Sequence, residues 1–214
     1  MMPSIPGYRL NDPALPPSPL SAQEFADLRG SLLFGEDDVA ALKQAEGVVA
    51  DQVEAILDVW YGFVGGTPHL LRYFSDAVTG EPIGAYLDAV RKRFGQWILD
   101  TCRAEYDGAW LAWQDEIGRR HHRSGKNTTD GVTAAAHIPM RHLLALVMPI
   151  SITMRPFLAK KGASPADVDK MHGAWTKAVL LQAILWSRPM RRRAIFDARR
   201  CARPNSRRAR MAPS

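Results

Sequence analysis

Apolar residues in this chain recur at steps of three and four positions over long segments, and no segment of useful length alternates apolar with polar residues. A step of three to four places successive side chains on one face of an α-helix, whereas a half-buried strand requires strict alternation. We therefore predict an all-α protein with seven or eight helices. A chain of 214 residues is long enough to bury one core of that kind in a single domain.

Proline and charge divide the chain into three regions. Residues 1–20 hold six prolines and predict an irregular N-terminal arm, because proline lacks the amide donor that regular structure needs. Ser21 and Glu24 have the spacing of a helix-capping box, so we expect the helical domain to span residues 21–187. Residues 188–214 hold ten arginines against one acidic residue and predict a disordered basic tail.

Glycine and proline also indicate where helices end or bend. We expect a helical stretch from Glu36 to Val64 that breaks or bends near Gly47. A later long helix contains Pro149 and Pro156, which are expected to kink it because each removes a backbone hydrogen bond.

The composition is that of a cytoplasmic protein. No apolar run approaches the 18 or so residues of a membrane-spanning helix, and no basic stretch followed by an apolar one marks a secretory signal. The two cysteines, Cys102 and Cys201, form no Cys-x-x-Cys pair that could hold zinc or attach a cofactor covalently. A reducing compartment is the simplest setting for such a chain.

The net charge of +6 comes entirely from the tail. Residues 1–187 carry 18 basic and 21 acidic side chains, so the body is slightly acidic. A basic patch on a folded face indicates nucleic-acid binding, and a basic tail indicates it much less strongly. Any contact with nucleic acid or an anionic surface is therefore expected through residues 188–214 alone.

One helix, around residues 107–123, carries a buried stripe that ends in a histidine. Its members follow each other at steps of four, three, four and four, and they are Tyr106, Trp110, Trp113, Ile117 and His121. The adjacent His122 is rotated by about 100° and should point elsewhere. A neutral imidazole on an apolar face can bind a haem iron, but a histidine near a helix C-terminus is also favoured by the helix dipole. The spacing leaves both interpretations open.

Two other helices carry aromatic residues that have two possible roles. Trp60 and Phe94 lie on apolar faces and Tyr61 lies beside one, which core packing explains by default. Alternatively, Tyr61 donates a hydrogen bond into a buried pocket. The basic residues 91–93 form a solvated face, or one of them pairs with a carboxylate of a cofactor.

Several blocks of the sequence resemble protoglobins. They are DQVE (51–54), ILD (56–58), WYGFVG (60–65), AVRKRF (89–94), WILDT (97–101), EIG (116–118), HHR (121–123), KN (126–127), TD (129–130), PFLA (156–159) and LWS (185–187). The similarity extends over roughly residues 5–187, and the longer blocks are specific. On these blocks the chain is identified as a member of the protoglobin family.

The resemblance implies an expanded globin fold with an extra N-terminal helix and an N-terminal arm that helps to bury a haem. Family members bind dioxygen, carbon monoxide and nitric oxide reversibly and tend to form homodimers through the last two long helices. The cofactor would be haem b, held non-covalently.

The resemblance also assigns site residues by position. His121 would be the proximal iron ligand, in agreement with the stripe, and Arg93 would pair with a haem propionate. The pocket for the gas would be formed by Trp60, Tyr61, Phe63 and Phe94. The haem walls would add Val90, Trp97, Ile117, Ile138, Leu143, Leu146 and Ile150.

Two other functions stay open beside gas binding. One is a haem enzyme that acts on nitric oxide or on reactive nitrogen or oxygen species, or in engineered use on carbene precursors. The other is a sensor whose output runs through the basic tail. Tyr61 is the only polar group expected in the pocket, which favours reversible gas binding over catalysis.

Overall fold

The computed structural model describes residues 5–190, most of which are helical. Eight α-helices lie in this range: α1 (Ala22–Ser31), α2 (Glu36–Val49), α3 (Val53–Gly65), α4 (Pro68–Leu71), α5 (Gly84–Arg103), α6 (Gly108–His121), α7 (Met140–Leu158) and α8 (Pro165–Ser187). Short 3-10 turns follow α4 and α8. Between residues 5 and 190 only two isolated β-bridges occur. The all-α prediction is confirmed.

Three of the helices begin at a side chain that accepts a hydrogen bond from an otherwise unpaired backbone amide. Ser21 accepts a hydrogen bond from the amide of Glu24, and the Glu24 carboxylate accepts one from the amide of Ser21 at 2.9 Å. The expected capping box therefore forms. Asp107 caps α6 and Ser164 caps α8 in the same way, each accepting from an amide three residues on.

The break in the stretch from Glu36 to Val64 lies at residues 50–52, and our expectation of a break near Gly47 is wrong. Gly47 stays inside α2. The chain leaves the helix at Gln52, whose φ and ψ are −114° and 2° and whose side-chain amide donates to the Val48 carbonyl at 2.6 Å. That hydrogen bond satisfies one of the last carbonyls of α2 and makes the break favourable there.

The last helix, α8, runs through the centre of the fold. It packs against α7, α2 and α6. Trp175 is 1% exposed and lies at its middle. A Cβ added to Gly118 of α6 would lie 3.0 Å from the Cα of Trp186, so only glycine lets these two helices approach so closely. This approach brings the end of α8 against the end of α6.

The remaining sequence predictions concern helix interiors and the tail. Pro149 and Pro156 both lie inside α7, as expected. No helix of the described residues is long and apolar enough to cross a membrane. The prediction of a disordered tail falls, from residue 191 onward, outside the described residues.

Candidate functional site

A cavity of about 230 Å³ lies between α3, α5, α6, α7 and α8. Its lining is mostly aromatic and aliphatic. Of the site residues expected from the sequence, it includes Trp60, Tyr61, Val90, Arg93, Phe94, Trp97, Ile117, His121, Ile138, Leu143, Leu146 and Ile150. The helical stripes on five different elements thus converge on one enclosed space.

His121 is the last residue of α6, and its ring faces the cavity. Nδ1 lies 2.8 Å from the carbonyl oxygen of Ile117, one helical turn back. Because a carbonyl can only accept, Nδ1 carries the proton and Nε2 keeps its lone pair. Nε2 has no hydrogen-bond partner among the described residues. The residue is partly buried and lines the cavity.

Burial also determines the charge of His121. It lowers the pKa of the imidazole to about 4, against a smaller opposing effect of the hydrogen bond to Ile117. The ring is therefore neutral at pH 7. A neutral imidazole whose free nitrogen has no protein partner is the form that binds a metal ion.

Trp186 stacks on this ring and limits its rotation. Its indole lies nearly parallel to the imidazole of His121, and its Nε1 donates to Oε1 of the buried Gln114 at 2.8 Å. The neighbouring His122 lies outside the cavity lining, and its Nδ1 lies 3.0 Å from the hydroxyl of Ser124. The structure separates the two histidines as their spacing predicted.

Tyr61 presents a hydroxyl to the cavity from α3. It has no hydrogen-bond partner among residues 5–190, and burial raises its pKa well above the ordinary value. The group is therefore a protonated donor at any physiological pH. Trp60 beside it packs on Phe94 with ring centroids 5.8 Å apart, and Phe94 in turn stacks on Trp97 at 5.1 Å.

Phe63 is not part of the cavity lining, so the structure does not bring it together with the other residues expected to form the gas pocket. It is 41% exposed and packs on the outer side of Trp60, with ring centroids 5.6 Å apart. It lines a separate outer groove with His69 and Met148. The physical reason is that Trp60, Tyr61 and Val64 already fill the face of α3 that points inward.

Polar and charged residues line one part of the cavity. Arg93 forms a two-point ion pair with Asp130, at 3.0 and 2.7 Å. Arg120 pairs with Glu116 at 2.9 Å. The ammonium of Lys126 is buried and bonded only to uncharged oxygens. The guanidinium we expected to bind a propionate is thus already held by a carboxylate.

The N-terminal arm closes over this polar part. Arg93 donates to the carbonyl of Pro6 at 3.1 Å, and Arg120 donates to the carbonyl of Gly7. The next residue, Tyr8, donates to Asp100 at 2.6 Å. Gly7 has a φ of +77°, which a residue with a side chain rarely adopts. Specific hydrogen bonds therefore hold residues 6–8 of the arm over the polar part of the cavity.

The lining residues that sequence reasoning missed include Tyr73, Tyr86, Lys126 and Trp186. Lys126 and Trp186 lie in blocks that resemble protoglobins, so that signal was available. Tyr86 lies four residues before Val90 on α5, so helical spacing could have found it. Tyr73 lies in the short 3-10 turn after α4, where periodicity gives no signal.

An all-helical fold around an aromatic cavity, with one neutral histidine facing in, is that of a haem globin. The sequence matches the Protoglobin family over residues 21–194, which is most of the chain. The chain belongs to this family and is a haem globin that binds gases. A search of curated proteins found no match.

The residues present fit a haem. The aromatic and aliphatic lining suits a flat apolar macrocycle, and the unpartnered Nε2 of His121 suits its iron. The cations at the polar part suit the carboxylates at the edge of the macrocycle.

Proposed function

We propose that this protein binds diatomic gases reversibly at a haem b whose iron is held by Nε2 of His121. The observation that carries the proposal is the state of that ring: neutral, fixed through Nδ1 to Ile117, and unpartnered at Nε2 inside the cavity. The haem supplies an iron with one coordination position open to a small ligand.

The haem would be held without covalent bonds. Cys102 is fully buried and lies outside the cavity lining. Packing against Trp97, Phe94 and Ile117, together with ligation by His121, would account for retention.

Tyr61 would stabilise the bound gas. Tyr61 lines the cavity, and its hydroxyl is a protonated donor without a hydrogen-bond partner among the described residues. A hydrogen bond favours a ligand that gains negative charge on binding, as dioxygen does, and affects carbon monoxide much less. We propose dioxygen, carbon monoxide and nitric oxide as ligands, with Tyr61 setting their relative affinities.

A second copy of the chain would cover an exposed apolar stripe on α7. Its members recur at steps of four, are 38–63% exposed, and are Met140, Leu144, Met148 and Ile152. Isolated apolar residues on a surface are ordinary, but a continuous row on one helix face is typical of an interface. We propose a homodimer in which α7 supplies most of the contact, because α8 is largely buried within its own subunit.

Absorption spectra of the reduced protein, with and without carbon monoxide, test the central proposal. The parent and His122→Ala should bind haem and respond to carbon monoxide, while His121→Gly should lose ligation by nitrogen. Added imidazole should restore the spectrum of His121→Gly, because the free ring can occupy the space left by the side chain. If the parent takes up no haem, or if His122→Ala has the larger effect, the proposal is wrong.

A further inference from the structure

Lys126 places a positive charge inside the fold. The residue is 6% exposed and lines the cavity. Its ammonium donates to the carbonyl of Tyr73 at 3.1 Å, to the hydroxyl of Tyr86 at 2.8 Å and to Oδ1 of Asn127 at 3.0 Å. All three acceptors are uncharged. Within residues 5–190 no carboxylate lies within ion-pair distance of this ammonium.

The other two cations of the lining are compensated. Arg93 is held by Asp130 at 2.7 Å, and Arg120 by Glu116 at 2.9 Å. Lys126 forms no ion pair among the described residues, although the Asp130 carboxylate, which Arg93 already holds, acts on it from a longer distance. Burial of the ammonium is costly, and it lowers the pKa of this group to about 8 against a smaller opposing effect of Asp130.

Tyr86 adds a second donor beside the first. Its hydroxyl oxygen accepts from Lys126, and its own proton has no acceptor among the described residues. Burial raises the pKa of this hydroxyl to about 12, so the proton is present at neutral pH. The hydroxyl of Tyr86 has a free proton that a carboxylate oxygen could accept. The ammonium beside it already uses its three hydrogens on uncharged acceptors, so it would attract a carboxylate by its charge and would donate to it by exchanging one of those acceptors.

We propose that Lys126 and Tyr86 form a carboxylate-binding subsite, and that its occupant is a propionate of the haem. The assignment rests on the proposed haem function. Arg93 then has a different task from the one its sequence position suggested: it holds Asp130 and the carbonyl of Pro6, and so fixes the arm over the cavity.

Haem loss from the full-length holoprotein tests this subsite directly. The protein is loaded with protohaem or with protohaem dimethyl ester, in which both propionates are uncharged esters, and the rate of transfer to excess apomyoglobin is measured. Lys126→Met should speed the loss of protohaem about tenfold, the effect of losing a hydrogen bond to a charged group, and leave the dimethyl ester nearly unaffected. Tyr86→Phe should give a smaller increase with the same selectivity.

Lys92→Met is the matched control, because Lys92 lies exposed on α5 and outside the lining. It should change neither rate. If Lys126→Met speeds the loss of both porphyrins by the same factor, the lysine only stabilises the fold and the proposal is overturned. No change with either porphyrin overturns it as well. Failure of the parent to take up either porphyrin would instead refute the haem function itself.

Discussion

The indole of Trp186 lies parallel to the imidazole of His121, with ring centroids 5.3 Å apart and planes inclined by only 13°. The indole is itself fixed, because its Nε1 donates to Gln114 at 2.8 Å and Gln114 is 2% exposed. Together with the hydrogen bond from Nδ1 to Ile117, this contact leaves the imidazole plane little freedom to rotate. The orientation of the His121 ring, which we propose as the iron ligand, is thus determined by Trp186, Gln114 and Ile117.

Gln114→Leu removes the acceptor for Trp186 while keeping a buried side chain of similar size. We expect the imidazole plane to become less ordered, which should shift and broaden the iron–histidine stretching band in the resonance Raman spectrum of the ferrous protein. Gln182→Leu is the control, since Gln182 is equally buried but bonds to Trp97. An equal shift in both variants would mean that the band reports general destabilisation.

Gly118→Ala should destabilise the protein by about 1–3 kcal/mol, because the added Cβ would meet backbone atoms of Trp186 at 3.0 and 3.1 Å. Backbone at that position cannot move aside as a flexible side chain could. Gly173→Ala, on α8, has no atom within 4 Å of the added Cβ and should be neutral or slightly stabilising. Urea unfolding of the two variants gives the comparison, and equal free energies of unfolding would contradict it.

Tyr61→Phe keeps the ring and removes the hydroxyl. Loss of one hydrogen bond worth about 1 kcal/mol should speed dioxygen dissociation about fivefold. Carbon monoxide dissociation should change far less, because that ligand gains little negative charge. Stopped-flow ligand replacement measures both rates. If both rates rise by the same factor, the hydroxyl acts by bulk rather than by hydrogen bonding.

The free energy of unfolding of the haem-free protein should depend on pH through Lys126. Its pKa is lowered to about 8 in the folded state from 10.5, so above pH 8 the unfolded chain binds more protons than the folded one. Stability contributed by this group should therefore rise as pH increases from about 8 toward 10, by at most about 1.4 kcal/mol per pH unit. Urea titrations give the free energy of unfolding of the parent and of Lys126→Met at each pH. The difference between the two isolates the contribution of Lys126 from that of the tyrosines, whose pKa values are higher. A flat difference would show that the lysine keeps its ordinary pKa.

Met148→Glu places a charge in the middle of the apolar stripe of α7, where Met148 is 58% exposed. We expect it to convert a dimer into a monomer, because an unpaired carboxylate in an apolar interface is costly. Val78→Glu is the control, since Val78 is 91% exposed in a loop. Sedimentation equilibrium gives the mass of each. If the parent protein sediments as a monomer, the proposed dimer is wrong.

Sequence reasoning succeeded where helical periodicity determines the outcome. A rotation of about 100° per residue separates His121 from His122, and the structure places only the first in the cavity. The cap residues Ser21 and Ser164 correctly predicted where two helices begin, because their side-chain oxygens accept hydrogen bonds from the first backbone amides of each helix. The break at residues 50–52 was missed, since it depends on a glutamine side chain folding back to Val48.

The polar part of the cavity could not be derived from periodicity. Lys126 lies in the irregular segment between α6 and α7, where side-chain direction follows from turns such as that at Asn127, with φ +75°. Its burial depends on acceptors at Tyr73 and Tyr86, which lie elsewhere in the fold, and at the adjacent Asn127. Phe63 lies outside the cavity lining for a related reason, because a strongly apolar helix such as α3 has more apolar residues than its inner face can hold.

The arm over the cavity has a consequence for the order of events during synthesis. Residues 6–8 are made early, yet the side chains that form hydrogen bonds with them, Arg93, Asp100 and Arg120, are made much later. The arm therefore cannot take its place over the polar part of the cavity before α6 exists. The walls that α7 and α8 supply are made later still, so the complete site, with the arm over it, can form only after the last helix has been made.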